Sequence, residues 1–213
     1  MECPFNFIFS YFTQINTSDI LGTSYSIAGQ NDNDILQSSI VSSGKEFGRP
    51  INPSMKKIDF SYMQAAIHSA QKGMKKGAGG PFGACIVKGS RIVAVAHNQV
   101  LKRKDSTCHA EINAIRIACR KAKTFDLSGH DIYSTTEPCP MCFAAIHWAR
   151  IDKVLYGTAI PDVARRGFHE LSISSAAMKK MGKSRVRIVS GFSRQPCLDL
   201  LKEWDHLPIR KTY

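Results

Sequence analysis

His109-Ala110-Glu111 and Pro138-Cys139-Pro140-Met141-Cys142 put an imidazole, two thiols and a carboxyl group into two short stretches of the chain. Zinc binds imidazole nitrogen and thiolate sulfur, and a hydrolytic zinc site takes three protein ligands and leaves the fourth position to water. His109, Cys139 and Cys142 are therefore the candidate ligands for one zinc ion per chain. Cys139 and Cys142 are three residues apart, a spacing that sets both sulfurs on one side of a helical first turn. Pro140 fits the first helical position, where no amide proton is needed. The free amides of that turn favour thiolate over thiol. His109 and Glu111 are two apart and diverge in mid-helix. They converge only if they open a helix, and Ile112 to Ala118 is a helix-compatible run that allows it.

Charge gives the carboxylate its role. Zinc with two thiolates and a neutral imidazole is a neutral centre, which acidifies its water less than a tris-histidine site does. A base beside that water is then useful, and Glu111 is the candidate acid/base. Two other readings use the same residues. A closed structural zinc needs a fourth protein ligand, and Cys108 is a candidate that would strain to share the metal with its neighbour His109. A lone Cys-x-x-Cys can also be a redox pair. A metal-stapled nucleic-acid-binding module is the non-enzymatic form of the first alternative, and it has no use for Glu111.

Composition bounds the rest. A chain of 213 residues can bury one sizeable core. Seven cysteines, two of them in the motif, do not suggest a disulfide framework. Cys3, Cys85, Cys108, Cys119 and Cys197 read as free or buried thiols, and a reducing, cytoplasmic setting suits zinc thiolates. No apolar run is long enough to span a bilayer. Residues 1 to 54 are polar and lack a clean period, and Met55-Lys56-Lys57-Ile58 has the form of a start. Residues 1 to 54 are thus expected to be a flexible extension and residues 55 to 213 the folded domain. Lys45 and Arg49 against Glu2, Asp19, Asp32, Asp34 and Glu46 give the extension a net −3, so the remainder holds +15 of the chain's +12. Basic clusters at 72–76, 102–104, 120–123, 165–166 and 179–187 would suit RNA phosphates. They are scattered, however, and no aromatic-interleaved stripe accompanies them, so a solvated surface is the plainer reading.

The elements that must position the motif alternate. Ile58 to Lys76 reads as a helix, with Met63, Ala66, Ile67, Ala70 and Met74 at helical spacing. Gly77 to Pro81 breaks it. Phe82 to Val87 and Arg91 to Ala96 read as a hairpin turned at Lys88-Gly89-Ser90. A helix over Cys108 to Lys121, a strand over His130 to Thr135, a helix over Pro140 to Arg150 and a strand over Lys153 to Gly157 follow. Arg185 to Val189 is a further strand and Pro196 to Trp204 a closing helix. This order implies an α/β fold with a central mixed sheet between helices.

The ordered signature His-x-Glu, then Pro-Cys-x-x-Cys, resembles that of the zinc-dependent cytidine/deoxycytidylate deaminase superfamily. The resemblance covers roughly residues 58 to 189 and implies the three-layer α/β/α fold on a mixed five-stranded sheet. It also implies a Glu111 that carries protons without binding metal, and a homodimer. Within the superfamily the chain resembles the guanine deaminase branch. Gly80-Pro81-Phe82-Gly83-Ala84 matches a first-strand motif in which Phe82 walls the pocket and the Ala84 backbone meets the base. Asn98, eleven residues before His109, matches an asparagine that hydrogen-bonds the purine. Trp148, in Ile146-His147-Trp148-Ala149-Arg150, matches a tryptophan that packs on it. Gly167-Phe168-His169-Glu170 matches a Gly-Phe-acid-acid segment whose second acid contacts the base, although His169 replaces the first acid. Tyr213 is similar to a terminal tyrosine that closes the site in some members, but residues 171–183 and 207–209 do not follow the family pattern. The implied substrate is a small nucleobase, guanine, giving xanthine and ammonia. The alternatives are the wobble adenosine of tRNA, and cytosine or a nucleoside.

Overall fold

The computed structural model describes residues 60–213. The boundary expected near residue 54 and the extension before it lie outside the described residues.

The chain runs α1 (Phe60–Lys75), β1 (Gly83–Lys88), β2 (Arg91–His97), α2 (Val100–Arg103), α3 (Ala110–Ala122), β3 (His130–Thr136), α4 (Pro140–Trp148), β4 (Lys153–Thr158), α5 (Ile160–Ala164), α6 (Ser175–Met181), β5 (Arg187–Val189) and α7 (Arg194–Asp205). The strands form one five-stranded sheet in the order β2-β1-β3-β4-β5. β1 pairs antiparallel with β2 and β3, while β3–β4 and β4–β5 are parallel. This is the mixed sheet expected from the element order. α2, α5 and α6 are additions: each is four to seven residues long, too short for a helical period to register.

Side chains of a strand point alternately to its two faces, and the core divides accordingly. Ala84, Ile86, Ile132 and Val154 join Ala110, Ala114, Ala118, Phe143 and Ile146 of α3 and α4 on one face. Cys85, Val87, Tyr133 and Leu155 join Tyr62, Met63 and Ala66 of α1 and Cys197 of α7 on the other. β3 and β4 are buried throughout, as strands covered on both faces must be. Residues Met63, Ala66, Ala70 and Met74 of α1 are wholly buried, while Ile67 is only partly so. The β1–β2 hairpin closes through Gly89-Ser90, with Lys88 opposite Arg91. Gly89 supplies the positive φ of 62° that this tight turn needs.

A third cluster matters for the site. Ala70 and Met74 of α1, Val163 of α5, Leu200, Leu201 and Trp204 of α7 and the loop residue Phe168 pack together, with Tyr213 against them. The chain terminus is thereby anchored to the body. Among the described residues no helix is long and apolar enough to cross a membrane.

Candidate active site

Both halves of the motif sit at helix starts. His109 is the N-cap of α3 (φ −64°, ψ 158°) and Cys139 the N-cap of α4 (φ −62°, ψ 167°), with Pro140 following as the first helical residue. Extended N-cap backbone turns each side chain back across the first turn, so both point into the same corner of the sheet. His109 Nδ1 lies 3.7 Å from Cys139 Sγ and 3.6 Å from Cys142 Sγ. The three donor atoms fall within 4.8 Å of one another. Tetrahedral zinc bonds to nitrogen and sulfur place those atoms about 3.6 Å apart, so the donor set fits the ion in type and spacing. The N-terminal ends of α3 and α4 converge here and favour thiolate. Cys139 is drawn down to about 4 by its hydrogen bond with Cys142, against the cost of burial. Cys142, hydrogen-bonded to Cys139 and buried, is pushed well up. Burial alone would lower the His109 imidazole, but its hydrogen bond with Cys139 and the nearby Glu111 carboxylate raise it.

Glu111 occupies the first turn of α3, buried beside the ligands. Placing His109 at the cap and Glu111 just inside the helix lets the pair converge. Ser134 Oγ on β3 donates to Glu111 Oε1 (3.2 Å). Burial raises the Glu111 carboxyl to about 7, with the His109 charge pulling the other way.

Phe82, His109, Glu111, Ser134, Thr136, Glu137, Cys139 and Glu170 line a narrow cavity of about 20 Å³ at this corner. That is room for one water, so a base enters only if part of the wall opens. Of the expected base contacts, Phe82 and Glu170 line the cavity. Burial raises the Glu170 carboxyl, with Cys139 adding to the shift. Asn98 follows β2 and is buried. Its Oδ1 accepts from Val100 N–H (3.1 Å), the first amide of α2, and its side chain also lies against the Tyr213 phenol. Gly79 packs so close that a Cβ there would lie 2.0 Å from Asn98 Oδ1.

The structure does not bring Ala84 or Trp148 to the cavity. Ala84 is sealed in β1 between Ala96 and Ser134 of the flanking strands. Trp148 ends α4 and stands 75% exposed, a helix length of about 13 Å from Cys139 at the opposite end.

The closing wall comes from the loop after α5 and from the chain end. Phe168 meets Phe82 edge to face (centroids 4.9 Å apart) and Tyr213 likewise (5.7 Å). The Tyr213 hydroxyl accepts from Gly80 N–H (3.3 Å), and its carbonyl accepts from His169 N–H (3.2 Å). Burial pushes this phenol up, with Glu170 and Glu111 close enough to add to the shift.

Three residues escaped the sequence reading: Ser134, Thr136 and Glu137. Ser134 and Thr136 alternate on β3 toward the cavity, a pattern hidden in a strand that is buried on both sides. Glu137 immediately precedes Pro138-Cys139, and a carboxylate in a motif loop was the available signal. It accepts from Ser175 N–H (2.8 Å) and Ile160 N–H (3.3 Å), and so ties down both ends of the segment that carries Phe168 and Glu170.

Residues 56–158 match the cytidine and deoxycytidylate deaminase zinc-binding region. A guanine deaminase from Bacillus subtilis (strain 168) is 42% identical over 110 residues, which is 52% of this chain and 70% of that protein. A tRNA-specific adenosine deaminase from Aquifex aeolicus is 35% identical over 153 residues, 71% of this chain and 86% of that protein. A solved chain from a study of A-to-I editing by tRNA:A34 deaminases superposes with a TM-score of 0.60 at 29% identity, covering 67% of this chain and 100% of the other.

Proposed function

The chain belongs to the cytidine and deoxycytidylate deaminase family and is a zinc-binding hydrolytic deaminase; from that premise we propose that its substrate is a free purine base, guanine, which it converts with water to xanthine and ammonia. The observation that carries this reading is the cover. Phe168 meets the cavity residue Phe82 edge to face, and Tyr213 packs on Phe168 with its hydroxyl at Gly80 and its carbonyl at His169 N–H, an arrangement that this reading takes as a cover over the metal corner. A nucleotide within an RNA strand must keep a path open for its ribose and phosphates. A free base needs none once the cover closes, and closure excludes water from the site.

In this reading His109, Cys139 and Cys142 hold zinc, which when bound supplies a polarised water at the fourth position. Glu111 takes a proton from the attacking water and returns it to the departing amino nitrogen. A carboxyl group near neutrality is suited to both transfers, and Ser134 fixes its orientation. Asn98 Nδ2 is a buried donor beside the Tyr213 phenol, and a purine carbonyl oxygen or ring nitrogen would offer it an acceptor. Glu170 faces the N–H edge of the base and assists the proton traffic, and Phe82 packs on its ring.

A second reading is deamination of the wobble adenosine of tRNA. The match to the Aquifex aeolicus protein extends over more of the chain than the guanine deaminase match does, and the net charge of +12 suits RNA. Ammonia release from guanine, guanosine, adenine, cytosine and an anticodon stem-loop separates the two. Guanine is expected to lead adenine and cytosine in kcat/KM by about a hundredfold, since unpaired buried polar groups penalise the wrong base. Conversion of the stem-loop adenosine by an enzyme inert toward guanine would assign the second reading.

A further inference from the structure

A basic cavity lined by none of the metal-corner residues lies beside the C-terminal tail. It measures about 590 Å³ and is lined by Arg165, Arg166, Trp204, Asp205, Arg210 and Thr212, within the size range of small-molecule sites. Its walls come from the end of α5, the end of α7 and the C-terminal tail. Three guanidinium groups face one carboxylate across it. Asp205 is engaged by Arg166 Nε (2.9 Å), and Arg166 Nη1 donates to the Asp162 carbonyl (2.6 Å). The nearby Asp162 carboxylate is shared between Arg165 (2.7 Å) and Arg194 (2.9 Å). Four arginines thus stand against two aspartates, leaving two positive charges in excess. The negative C-terminal end of α7 is masked, since Arg210 Nη1 donates to the Asp205 carbonyl.

A guanidinium group has five N–H donors in a planar fork. The bonds above use one or two on each of the lining arginines, so donors remain for a ligand. Convergent forks with excess positive charge match the tetrahedral oxygens of a phosphoryl group, which arginine binds in bidentate fashion. We propose that this cavity binds the phosphoryl group of a small phosphorylated molecule and that the bound anion ties the C-terminal tail to the body.

The tail gives the site a consequence. Arg210 and Thr212 form one wall, and the next residue, Tyr213, reaches Gly80 as part of the cover proposed above. An anion bridging Arg210 to Arg165 and Arg166 holds the tail in the position that keeps Tyr213 closed. Anion binding and retention of base or product in the closed cleft then strengthen each other by the same factor, as linkage requires. The anion site stands without the substrate reading above; its effect on the cleft rests on that reading's cover.

Isothermal titration of the full-length zinc protein with inorganic phosphate, pyrophosphate and a nucleoside 5′-monophosphate at constant ionic strength tests the site. Saturable one-to-one binding at a millimolar or lower Kd is expected, weakened about tenfold or more in Arg165→Ala and in Arg210→Ala. Arg185→Ala serves as the control, because it lines a second basic cavity with His147, Arg150, Lys183 and Arg187. Its phosphate affinity is expected to equal wild type. Tighter binding of the monophosphate than of phosphate would identify a nucleotide as the natural ligand, and equal binding would identify the phosphoryl group alone. The site is overturned if no phosphate compound binds saturably, if Arg185→Ala loses as much affinity as Arg165→Ala, or if only RNA oligonucleotides bind. Bound phosphate should also slow tryptic cleavage at Arg210 and Lys211, and xanthine should tighten phosphate about fivefold. Phosphate binding with neither effect leaves the cavity an anion site and overturns the tie to the tail.

Discussion

His109, Cys139, Cys142 and Glu111 reach the cleft from the first turns of α3 and α4, whereas Glu170 reaches it from a loop whose Phe168 packs on Phe82 and on Tyr213 of the chain end. The first wall is held by backbone: each helix start is fixed by its own hydrogen-bond ladder, and the fully buried β3 leads into α4. The second is held mostly by side chains, through the Phe82–Phe168–Tyr213 ring contacts, the Glu137 clamp and the Tyr213 hydroxyl at Gly80, with one backbone bond from His169 to Tyr213. Chemistry needs donors fixed to within a fraction of an ångström. Substrate entry needs a wall that opens. The molecule assigns these demands to different kinds of structure.

Substitutions should separate the two walls. Cys142→Ala removes a buried ligand from the rigid wall, so zinc content by metal analysis and turnover should fall together to background. A zinc-free variant with full activity breaks the assignment. Glu111→Gln keeps the ligands and the side-chain size, so zinc should remain while kcat drops by about 10²- to 10⁴-fold. Retention of more than a tenth of wild-type kcat removes Glu111 from the proton relay.

On the opposite wall the effects should be smaller and should leave zinc alone. Tyr213→Ala is expected to lower kcat/KM for the base by about ten- to a hundredfold, because a displaced cover admits water and loosens the substrate. Equal activity toward guanine would show that closure comes from elsewhere. Glu137→Gln replaces a carboxylate that accepts two backbone N–H groups with an amide that offers one acceptor oxygen. One buried N–H then faces a donor, so urea unfolding should register a loss of about 1–3 kcal/mol. The smallest effect is that of His97, beside Asn98. Burial lowers its pKa, and Lys102, Lys72 and Lys76 add to the shift. A base with a depressed folded pKa binds fewer protons folded than unfolded, so its neutral form favours folding. That contribution is full above the ordinary value near 6.5 and is lost as pH falls toward the lowered folded value. His97→Gln should flatten this part of the stability-versus-pH curve.

The rigid wall was legible in the sequence because its determinants are local. A three-residue spacing with a proline behind the first cysteine fixes where the sulfurs go, and the His109–Glu111 pair requires a helix start, which is where it lies. The strands of the mixed sheet were legible to within two residues, since a buried core leaves its period in the chain. Trp148 shows the limit. Its type and neighbours matched a base-stacking residue, but its place at the far end of α4 leaves it exposed.

By itself the sequence determined the donor set, the carboxylate beside it, the helix starts that present them and the alternation that makes the sheet, because each depends on residues a few positions apart. Tertiary structure alone decided that His109 of one helix start meets Cys139 of another on the same face of the sheet, that Ser134 reaches Glu111 and that Glu137 clamps the distant Ile160 and Ser175. It also decided that Tyr213 reaches Gly80 and that arginines after α5 and in the tail share one cavity. These contacts join residues that are far apart in the chain. They are held by packing of α3 and α4 on the sheet and of α1, α5 and α7 around Phe168, which no local period or spacing encodes.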